Sequence, residues 1–282
     1  MNIIPVDSLA DPRLAPYANM RDAELAQRAD PLDGAAHGGL FIAEGALVLR
    51  RLIASRFVVQ SVLTGPTRLD SVRDALGALP AETPVFLADP TTMSSIVGFN
   101  MHRGVLAIGV RGAMPGIDDL LARAGPLIVL EDLTNHDNLG SICRNGAALG
   151  GPGVGIALSA RCADPLYRKS IRVSMGAALC VPFARLEAWP DSLRTLARAG
   201  FQTWALTPRS GAVPIREACR TLAGSPSRVA IVLGSEGPGL TDEAIRACSH
   251  QVRIPMAKAD PAVDSLNVGM ACGIALHCLG DR

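Results

Sequence analysis

The stretch LIVLEDLTNHDNLGSICRNGAALG, residues 127–150, decides the fold class. An apolar run with the length of a buried strand leads into a polar loop at residues 134–138, and a helix carrying Arg144 follows. Open α/β sheets place their ligand sites at the carboxyl ends of parallel strands. Ordinary turn and N-cap chemistry also uses Asn and Asp, so this segment alone leaves a ligand site and a simple helix cap equally open.

The rest of the chain shows the same alternation of strands and helices. Runs of Val, Ile and Leu without strict alternation predict a parallel sheet covered on both faces in the second half. In the first half, helices and strands alternate from FIAEGALVLRRLIAS, interpreted as a helix, to the strand GVLAIGVR, which indicates α/β layering. We predict an N-terminal extension at 1–36, a small α/β domain at 37–112, a Gly- and Pro-containing linker at 113–125 and a second domain at 126–282.

Two further segments of the second half are typical of ligand loops. In VAIVLGSEGPGL, residues 229–240, Gly234, Gly237 and Gly239 surround Glu236 after a buried strand, and glycines there permit positive φ and a close backbone approach. In RIPMAKADPAVDSLNVGMACGIALHCLG, residues 253–280, a polar loop precedes an apolar helix rich in small residues, with Ser265 as a candidate N-cap. Each segment alone is weak evidence of a site.

The three segments in this order resemble the motifs of the SpoU/TrmH family of SPOUT methyltransferases. The resemblance rests on Asn138-x-Gly140-x3-Arg144, on LGSEG at 233–237, and on IPM at 254–256 followed by SLNV at 265–268. Residues 41–110 are similar to the small substrate-binding domain of that family, from FIAEG to HRGVLAIG around His102 and Gly104. The resemblance covers nearly the whole chain beyond residue 40.

This resemblance implies a fold, a cofactor and a reaction. The C-terminal domain should be a parallel sheet with a deep trefoil knot, preceded by the small α/β substrate-binding domain. The chain should transfer a methyl group from S-adenosylmethionine to a ribose 2′-hydroxyl of rRNA or tRNA, acting as a homodimer whose target site is built at the subunit interface. The implied cofactor residues are Thr207, Gly234, Glu236, Gly239, Ile254, Met256 and Leu266, and the implied catalytic residues are Arg144, Asn138, Glu236, Ser265 and Asn267.

Arg144 matches the family's catalytic arginine, which is often proposed to accept the proton of the 2′-hydroxyl. Free guanidinium has a pKa above about 12, so we favour another role. Our hypothesis is that Arg144 grips the adjacent phosphate bidentately and orients the ribose, with Asn138 fixing that geometry. A basic cluster for further phosphate contacts is predicted at Arg161, Arg168, Lys169 and Arg172, although a solvated helix face explains any one of them equally well.

Composition limits the remaining classes of protein. A net charge of +1 excludes gross electrostatic capture of nucleic acid but not a local basic face, and 4% aromatics argue against a broad base-stacking surface. The odd number of cysteines, seven, without a C-x-x-C pair, indicates reduced, mostly buried thiols of a cytoplasmic protein. The sequence predicts no membrane span, and the spacing of its histidines predicts no metal site.

Two other functions are less compatible with this sequence than methyl transfer. A catalytically silent RNA-binding or assembly protein on the same knotted dimer is disfavoured because Asn138, Arg144, Glu236 and Ser265 are all in place. A nucleotide-dependent oxidoreductase lacks the G-x-G-x-x-G fingerprint and its acidic partner. Three departures from the family pattern bear on the cofactor loop and on substrate choice: a longer loop at 257–264, Gly269 in place of a small hydroxyl residue, and Arg103 in place of a usual Gln.

Overall fold

The structure is a computed structural model, and it describes residues 1–6, 8–18, 21–27, 39–98, 104–221, 228–257, 260 and 262–280. The chain divides into two compact units, the first made of Met1–Ala113 and Pro165–Cys180 and the second of Met114–Asp164 and Val181–Arg282. The chain thus leaves the first unit at the start of the predicted linker. The return of Pro165–Cys180 to the first unit differs from the predicted division, which kept residues 126–282 together.

The first unit is built from short strands and helices. In chain order its described elements are β1 (Asn2–Pro5), a 3-10 helix (Pro12–Tyr17), α1 (Asp22–Gln27), β2 (Leu40–Glu44), α2 (Ala46–Ile53), β3 (Val58–Thr64), α3 (Pro66–Leu76), β4 (Pro84–Leu87), α4 (Pro90–Val97) and β5 (Val105–Val110). Among the described residues its sheet has five strands in the order β1-β4-β3-β5-β2. The sheet is mixed, because β3 and β2 both pair antiparallel with β5 while the other pairs are parallel.

One sequence prediction for the first unit is wrong. The segment FIAEG, interpreted as part of a helix, is strand β2, and the helix begins only at Ala46. Leu40–Ala43 are all buried, so the run lacks the alternation that distinguishes a strand from a buried helix. Gly45, with φ of +101°, makes the turn between the two elements.

The N-terminal extension is part of the first unit's core. Strand β1 pairs parallel with β4, and Tyr17 is fully buried, where its hydroxyl bonds to that of Ser61 at 2.8 Å. Leu14 and Leu25 pack in the same core as Phe86 and Ile108. The described part of residues 1–36, predicted as an N-terminal extension, therefore packs in the core of the first unit.

The second unit contains a parallel sheet. Its elements are α5 (Ile117–Leu121), β6 (Leu127–Leu130), α6 (His136–Leu149), β7 (Gly155–Leu158), then, after the excursion through α7 (Arg168–Val173) and a 3-10 helix (Ala177–Leu179) in the first unit, β8 (Phe183–Arg185), α8 (Ser192–Arg198), β9 (Phe201–Leu206), β10 (Val213–Pro214), α9 (Ile215–Thr221), β11 (Arg228–Leu233), α10 (Asp242–Ala247), β12 (His250–Arg253) and α11 (Val268–Gly280). In the described chain the strand order is β10-β12-β9-β11-β6-β7-β8, and every pair is parallel. The prediction of an α/β fold with a parallel sheet is confirmed.

The strand order fixes where a ligand can bind. The chain runs outward from β6 to β7 and β8, then crosses to β9 and inserts β11 between β9 and β6. The reversal leaves a crevice at the carboxyl ends of the central strands, the usual ligand position in such sheets. Their middle residues, such as Val129 and Val232, are fully buried, so only the strand ends can meet a ligand. In the described part of the chain, every helix is too short or too polar to cross a bilayer.

Helices α6 and α11 pack closely because α11 carries glycine at its contact points. A Cβ added to Gly269 would lie 3.0 Å from Cβ of Ser141, and one added to Gly273 would lie 3.2 Å from Nδ2 of Asn145. Asn145 Nδ2 also donates to the Gly269 carbonyl at 2.7 Å. The small residues noted in the sequence therefore bring α11 against the helix that carries Asn138 and Arg144.

Candidate active site

A cavity of about 650 Å³ lies at the carboxyl ends of β9, β11 and β12 in the second unit. Its walls are three loops that follow those strands: residues 206–209, 233–240 and 254–268, the last through Ile254, Met256 and 264–268. Such a volume is typical of small-molecule sites, which measure about 300–1,000 Å³. The third loop leads directly into α11, so the same segment shapes the cavity and positions the helix.

The glycine loop after β11 is a tight closed turn. Gly239 N donates to the Ser235 carbonyl at 3.1 Å, and Gly237 and Gly239 have φ of +86° and +70°. A Cβ on Gly234 would lie 2.1 Å from the Gly239 carbonyl carbon and 2.3 Å from Leu240 N, which no side chain could accept without moving the backbone. The glycines at 237 and 239 thus provide the positive φ that the sequence indicated, and Gly234 lets the two ends of the loop lie against each other.

A directed chain of hydrogen bonds joins the three motifs beside this cavity. Glu236, an acceptor in its ionised form, takes a hydrogen bond from Asn138 Nδ2. Asn138 Oδ1 in turn accepts from Asn267 Nδ2 at 2.9 Å. The direction follows from the chemistry, because a carboxylate fixes which end of each amide must face it. Hydrogen bonds aligned in series strengthen one another, so this polar chain is held rigidly.

Asn267 connects that chain to the start of α11. Its Oδ1 accepts from the backbone N–H of Gly269 at 2.9 Å and of Met270 at 3.3 Å, which is how an N-cap residue acts. Asn267 therefore occupies the capping role that the sequence offered to Ser265. Ser265 lines the cavity instead, with its hydroxyl donating to Asp264 Oδ1 at 3.0 Å.

Arg144 takes no part in this series of hydrogen bonds. It lies six residues beyond Asn138 on α6, about 9 Å along the helix axis. Its side chain is exposed, and within the described residues it makes no hydrogen bond or ion pair and does not line the cavity. The structure thus brings together Asn138, Glu236 and Asn267, and leaves Arg144 free to meet a group from outside the chain.

The residues predicted for the cofactor side all line the cavity. The lining includes Thr207, Gly234, Glu236, Gly239, Ile254, Met256 and Leu266. Thr207 is buried, and its N–H donates to the Val252 carbonyl at 2.9 Å, which ties the first loop to β12. Residues that are distant in sequence therefore line one cavity.

Sequence reasoning missed two charged residues at the cavity. Arg209 lines it and forms an ion pair with Asp242, and Asp264 also lines it. Asp264 directly precedes the SLNV motif, and Arg209 follows Thr207 by two residues. Their closeness in sequence to predicted site residues could have indicated that they lie at the cavity. Half-exposed pairs of this kind are screened by solvent and contribute little to stability.

Other predicted features are scattered or fall outside the described residues. His102 and Arg103 lie outside them, whereas Gly104 is described, and its carbonyl accepts from the Thr64 hydroxyl at 3.1 Å. The predicted basic cluster divides between the units: Arg161 pairs with Asp132 in the second unit, and the other three cations lie on α7 in the first. The described residues include no group of three or more potential metal ligands.

The cysteines are reduced in the structure, but fewer are buried than the sequence indicated. Cys143, Cys162 and Cys272 are buried, three others are half-buried, and Cys180 is exposed. Burial raises the pKa of the Cys143 thiol to about 12, and it raises the pKa of Cys272 further. These two thiols on α6 and α11 act as small apolar side chains.

Comparison with known proteins identifies the family. Residues 125–277 match the model of the SpoU rRNA Methylase family. An uncharacterized tRNA/rRNA methyltransferase of Mycobacterium bovis is 40% identical over 95% of this chain and 88% of its own length. The 23S rRNA (adenosine(1067)-2'-O)-methyltransferase of Streptomyces azureus is 30% identical over 71% of this chain and 70% of its own.

A solved structure shares the fold. The AdoMet-bound rRNA methyltransferase from Sinorhizobium meliloti superimposes with a TM-score of 0.74 at 23% identity, covering 98% of this chain and 97% of that one. A parallel α/β sheet with a small-molecule cavity at the carboxyl ends of its strands is the layout of a ligand-binding enzyme of the α/β class. The chain belongs to the SpoU rRNA methylase family, and it is an RNA methyltransferase.

Proposed function

We propose that this protein methylates a ribose 2′-hydroxyl of rRNA or tRNA, with S-adenosylmethionine as the methyl donor. The observation that carries the proposal is the series of hydrogen bonds from Glu236 through Asn138 to Asn267, which joins all three motifs beside one cavity. The Streptomyces azureus relative, whose name specifies 2'-O transfer, supports ribose over base as the acceptor.

The cavity fits S-adenosylmethionine, the methyl donor of this family. Its lining residues are mainly glycine, proline and apolar residues, and Gly234 lets Gly239 and Leu240 pass against it, which any Cβ would prevent. We assign contact with the donor to Thr207, Gly234, Glu236, Gly239, Ile254, Met256 and Leu266. When bound, S-adenosylmethionine would supply the methyl group of its sulfonium, leaving as a neutral thioether while the proton of the 2′-hydroxyl passes to water.

The chain's own residues then have to bind and orient the RNA. Arg144 presents five N–H donors in a planar fork, and a phosphate diester accepts two of them in parallel. That grip would fix the ribose next to the phosphate and align its 2′-hydroxyl, and alignment of this kind supplies much of the rate gain in transfer reactions. Asn138, Glu236, Ser265 and Asn267 would hold the pocket wall against which the ribose is placed.

We further propose that two copies act together. Met270, on the first turn of α11, exposes 63% of its surface, and Leu266 exposes 39%. Large apolar side chains exposed beside a functional site are typical of an interface. A second copy covering them would complete a target site that this chain leaves open at Arg144. Light scattering should show a dimer that Met270→Glu dissociates, and a monomeric wild-type protein would contradict this proposal.

We also propose the deep trefoil knot for the C-terminal segment. Ile254, Met256 and residues 264–268 line the same cavity as the loops 206–209 and 233–240, and α11 packs on α6, which is compatible with the family's knotted path. Knots are rare in folded chains, so this proposal depends on the family resemblance.

The reaction is tested with labelled S-adenosylmethionine and total RNA from cells that lack this protein. Wild type and Arg144→Ala are incubated in parallel, and the RNA is digested to nucleosides and analysed by mass spectrometry. We expect label on a ribose in rRNA or tRNA, and we expect it to depend on Arg144. Label on a base would overturn the ribose assignment.

The same experiment tests the silent RNA-binding protein. Saturable S-adenosylmethionine binding without any methyl transfer, to free RNA or to ribosomal particles from the same cells, would favour that function. The intact motif residues favour the enzyme, because a protein that only binds RNA has no need of the cavity or of its glycine loop.

A further inference from the structure

Glu131 is a buried carboxylate that the proposed reaction does not use. It follows β6 directly, at the carboxyl edge of the parallel sheet, and only 2% of its surface is exposed. A carboxylate is rarely buried so completely unless its oxygens are hydrogen-bonded. The hydrogen-bond donors around Glu131 therefore show which parts of the structure it holds in place.

Three donors converge on Glu131. Trp189 Nε1 donates to Oε1 at 2.5 Å, the Thr241 hydroxyl donates to the same oxygen at 2.7 Å, and Thr241 N–H donates to Oε2 at 2.8 Å. Two of the three come from one residue, so Glu131 grips Thr241 with both oxygens. Hydrogen bonds to an ionised group are the stronger kind, which makes this a firm attachment.

Thr241 is the residue at which the glycine loop ends. Residues 234–240 line the cavity, and Leu240 N and the Gly239 carbonyl are the atoms that pass within 2.3 Å of where a Gly234 side chain would begin. A shift of Thr241 would move Gly239 and Leu240, the end of the loop that returns past Gly234. The outgoing limb is already fixed by strand β11, whose Leu233 carbonyl accepts from Glu131 N at 2.8 Å.

We propose that Glu131 is a positioning residue for the S-adenosylmethionine side of the cavity, acting through Thr241. It does not line the cavity, so it would set the loop's shape without touching the donor. Together with the bond from Asn138 to Glu236, it fixes the loop at two points, one directly after β6 and one in the first turn of α6. The inference rests on the proposed function, since it names a further residue of the same site.

The substitution Glu131→Gln tests the role with little change in shape. An amide has one accepting end, so in either orientation its NH2 group faces an N–H donor, of Thr241 or of Trp189. We expect the Kd of S-adenosylmethionine, measured by calorimetry, to rise about tenfold, equal to about 1.4 kcal/mol. We expect KM for the donor to rise similarly, while kcat at saturating donor stays near the wild-type value.

Two further comparisons separate positioning from simple stability. Trp189→Phe removes a donor to Glu131 but leaves both bonds to Thr241, so it should lower the melting temperature while the Kd stays within about twofold. Thr241→Val should weaken donor binding as Glu131→Gln does. Thr241→Ser keeps the hydroxyl, so it should bind the donor as tightly as the wild type. These two variants also serve if Glu131→Gln fails to fold.

The outcomes distinguish this inference from the proposed function. If wild-type protein binds S-adenosylmethionine and both Glu131→Gln and Thr241→Val bind it equally well when folded, the positioning role is overturned and the function stands. If Trp189→Phe weakens binding as much as the others, the effect is one of general stability, and the positioning role is again overturned. A wild-type protein without affinity for the donor would overturn the proposed function itself.

Discussion

The donor side and the RNA side of the candidate site are built in opposite ways. Around the cavity, backbone turns are closed and polar side chains are satisfied, as the chain from Glu236 through Asn138 to Asn267 shows. At Arg144, by contrast, an exposed guanidinium has no partner among the described residues. On the proposed assignment of Arg144, the donor site is organised before any ligand arrives, whereas the RNA would supply the partner on the other side.

This contrast has a physical basis. A small donor must be held by many weak contacts, and rigid backbone lowers the entropy lost on binding. A phosphate carries its own charge, so one correctly placed arginine can capture it without an enclosed pocket. Substitutions on the two sides should therefore affect different measured quantities.

The largest effect is expected from Gly234→Ala. The added Cβ would begin 2.1–2.3 Å from backbone atoms of Gly239 and Leu240, so the loop must open. We expect S-adenosylmethionine affinity to fall by more than about 100-fold, because displaced backbone cannot be accommodated by rotating a side chain. Calorimetry measures the loss. Gly211→Ala is the matched control, since its Cβ would meet nothing within 4 Å, and a similar loss there would contradict the explanation.

The next largest effect is expected from Arg144, and only on transfer. Arg144→Ala should lower single-turnover methyl transfer by about 100-fold, the usual scale for losing one well-placed charged donor. Arg144→Lys keeps the charge but not the fork, and it should recover only a small part of the rate. The affinity for S-adenosylmethionine should be unchanged in both variants. Near-normal turnover in Arg144→Lys would refute the bidentate grip.

A moderate effect on stability is expected when the hydrogen-bonded side chains Glu236, Asn138 and Asn267 are given a second negative charge. Asn138→Asp places a carboxylate against Glu236, so we expect the free energy of unfolding to fall by about 2 kcal/mol at pH 8. Repulsion raises the pKa of the carboxylate pair in the folded state, so the missing stability should return as the pH falls through that raised pKa and one group is protonated. Thermal melts of variant and wild type at pH 8 and pH 5 measure the difference, and a gap that widens at pH 5 would be evidence against the assigned network.

The smallest effect is expected from Arg209→Ala. Arg209 lines the cavity, yet it is half-exposed and shares its charge with Asp242. If backbone and not charge holds the donor, affinity should fall less than about threefold, and added salt should remove even that difference. Titrations at two salt concentrations measure it. A tenfold loss that persists in high salt would mean that charge contributes substantially to the donor side.

Much of the site was predictable because its residues stand at the ends of recognisable strands. The apolar run 127–130 and the glycines after Leu233 both indicated loops at one edge of a parallel sheet. The motif resemblance then identified seven lining residues, all of which the cavity contains. Sequence is informative here because strand ends and glycine turns are local features.

The features that escaped prediction depend on contacts between distant segments. Glu131 follows an apolar run like many acidic residues, and only its bonds to Trp189 and Thr241 set it apart. The strand at Leu40–Glu44 resembled a helix because it is buried on both sides, and the return of Pro165–Cys180 to the first unit left no mark in composition. The direction of the Asn138 amide likewise follows from its neighbours in space and not from its neighbours in sequence.

The central claim is that the donor site is complete without RNA and independent of Arg144. Calorimetric titration of S-adenosylmethionine into RNA-free wild type, Arg144→Ala and Gly234→Ala tests it most directly. We predict saturable binding at one site per chain with the same Kd in wild type and Arg144→Ala, and no binding in Gly234→Ala. Binding that appears only after RNA is added, or that is lost in Arg144→Ala, would contradict the account.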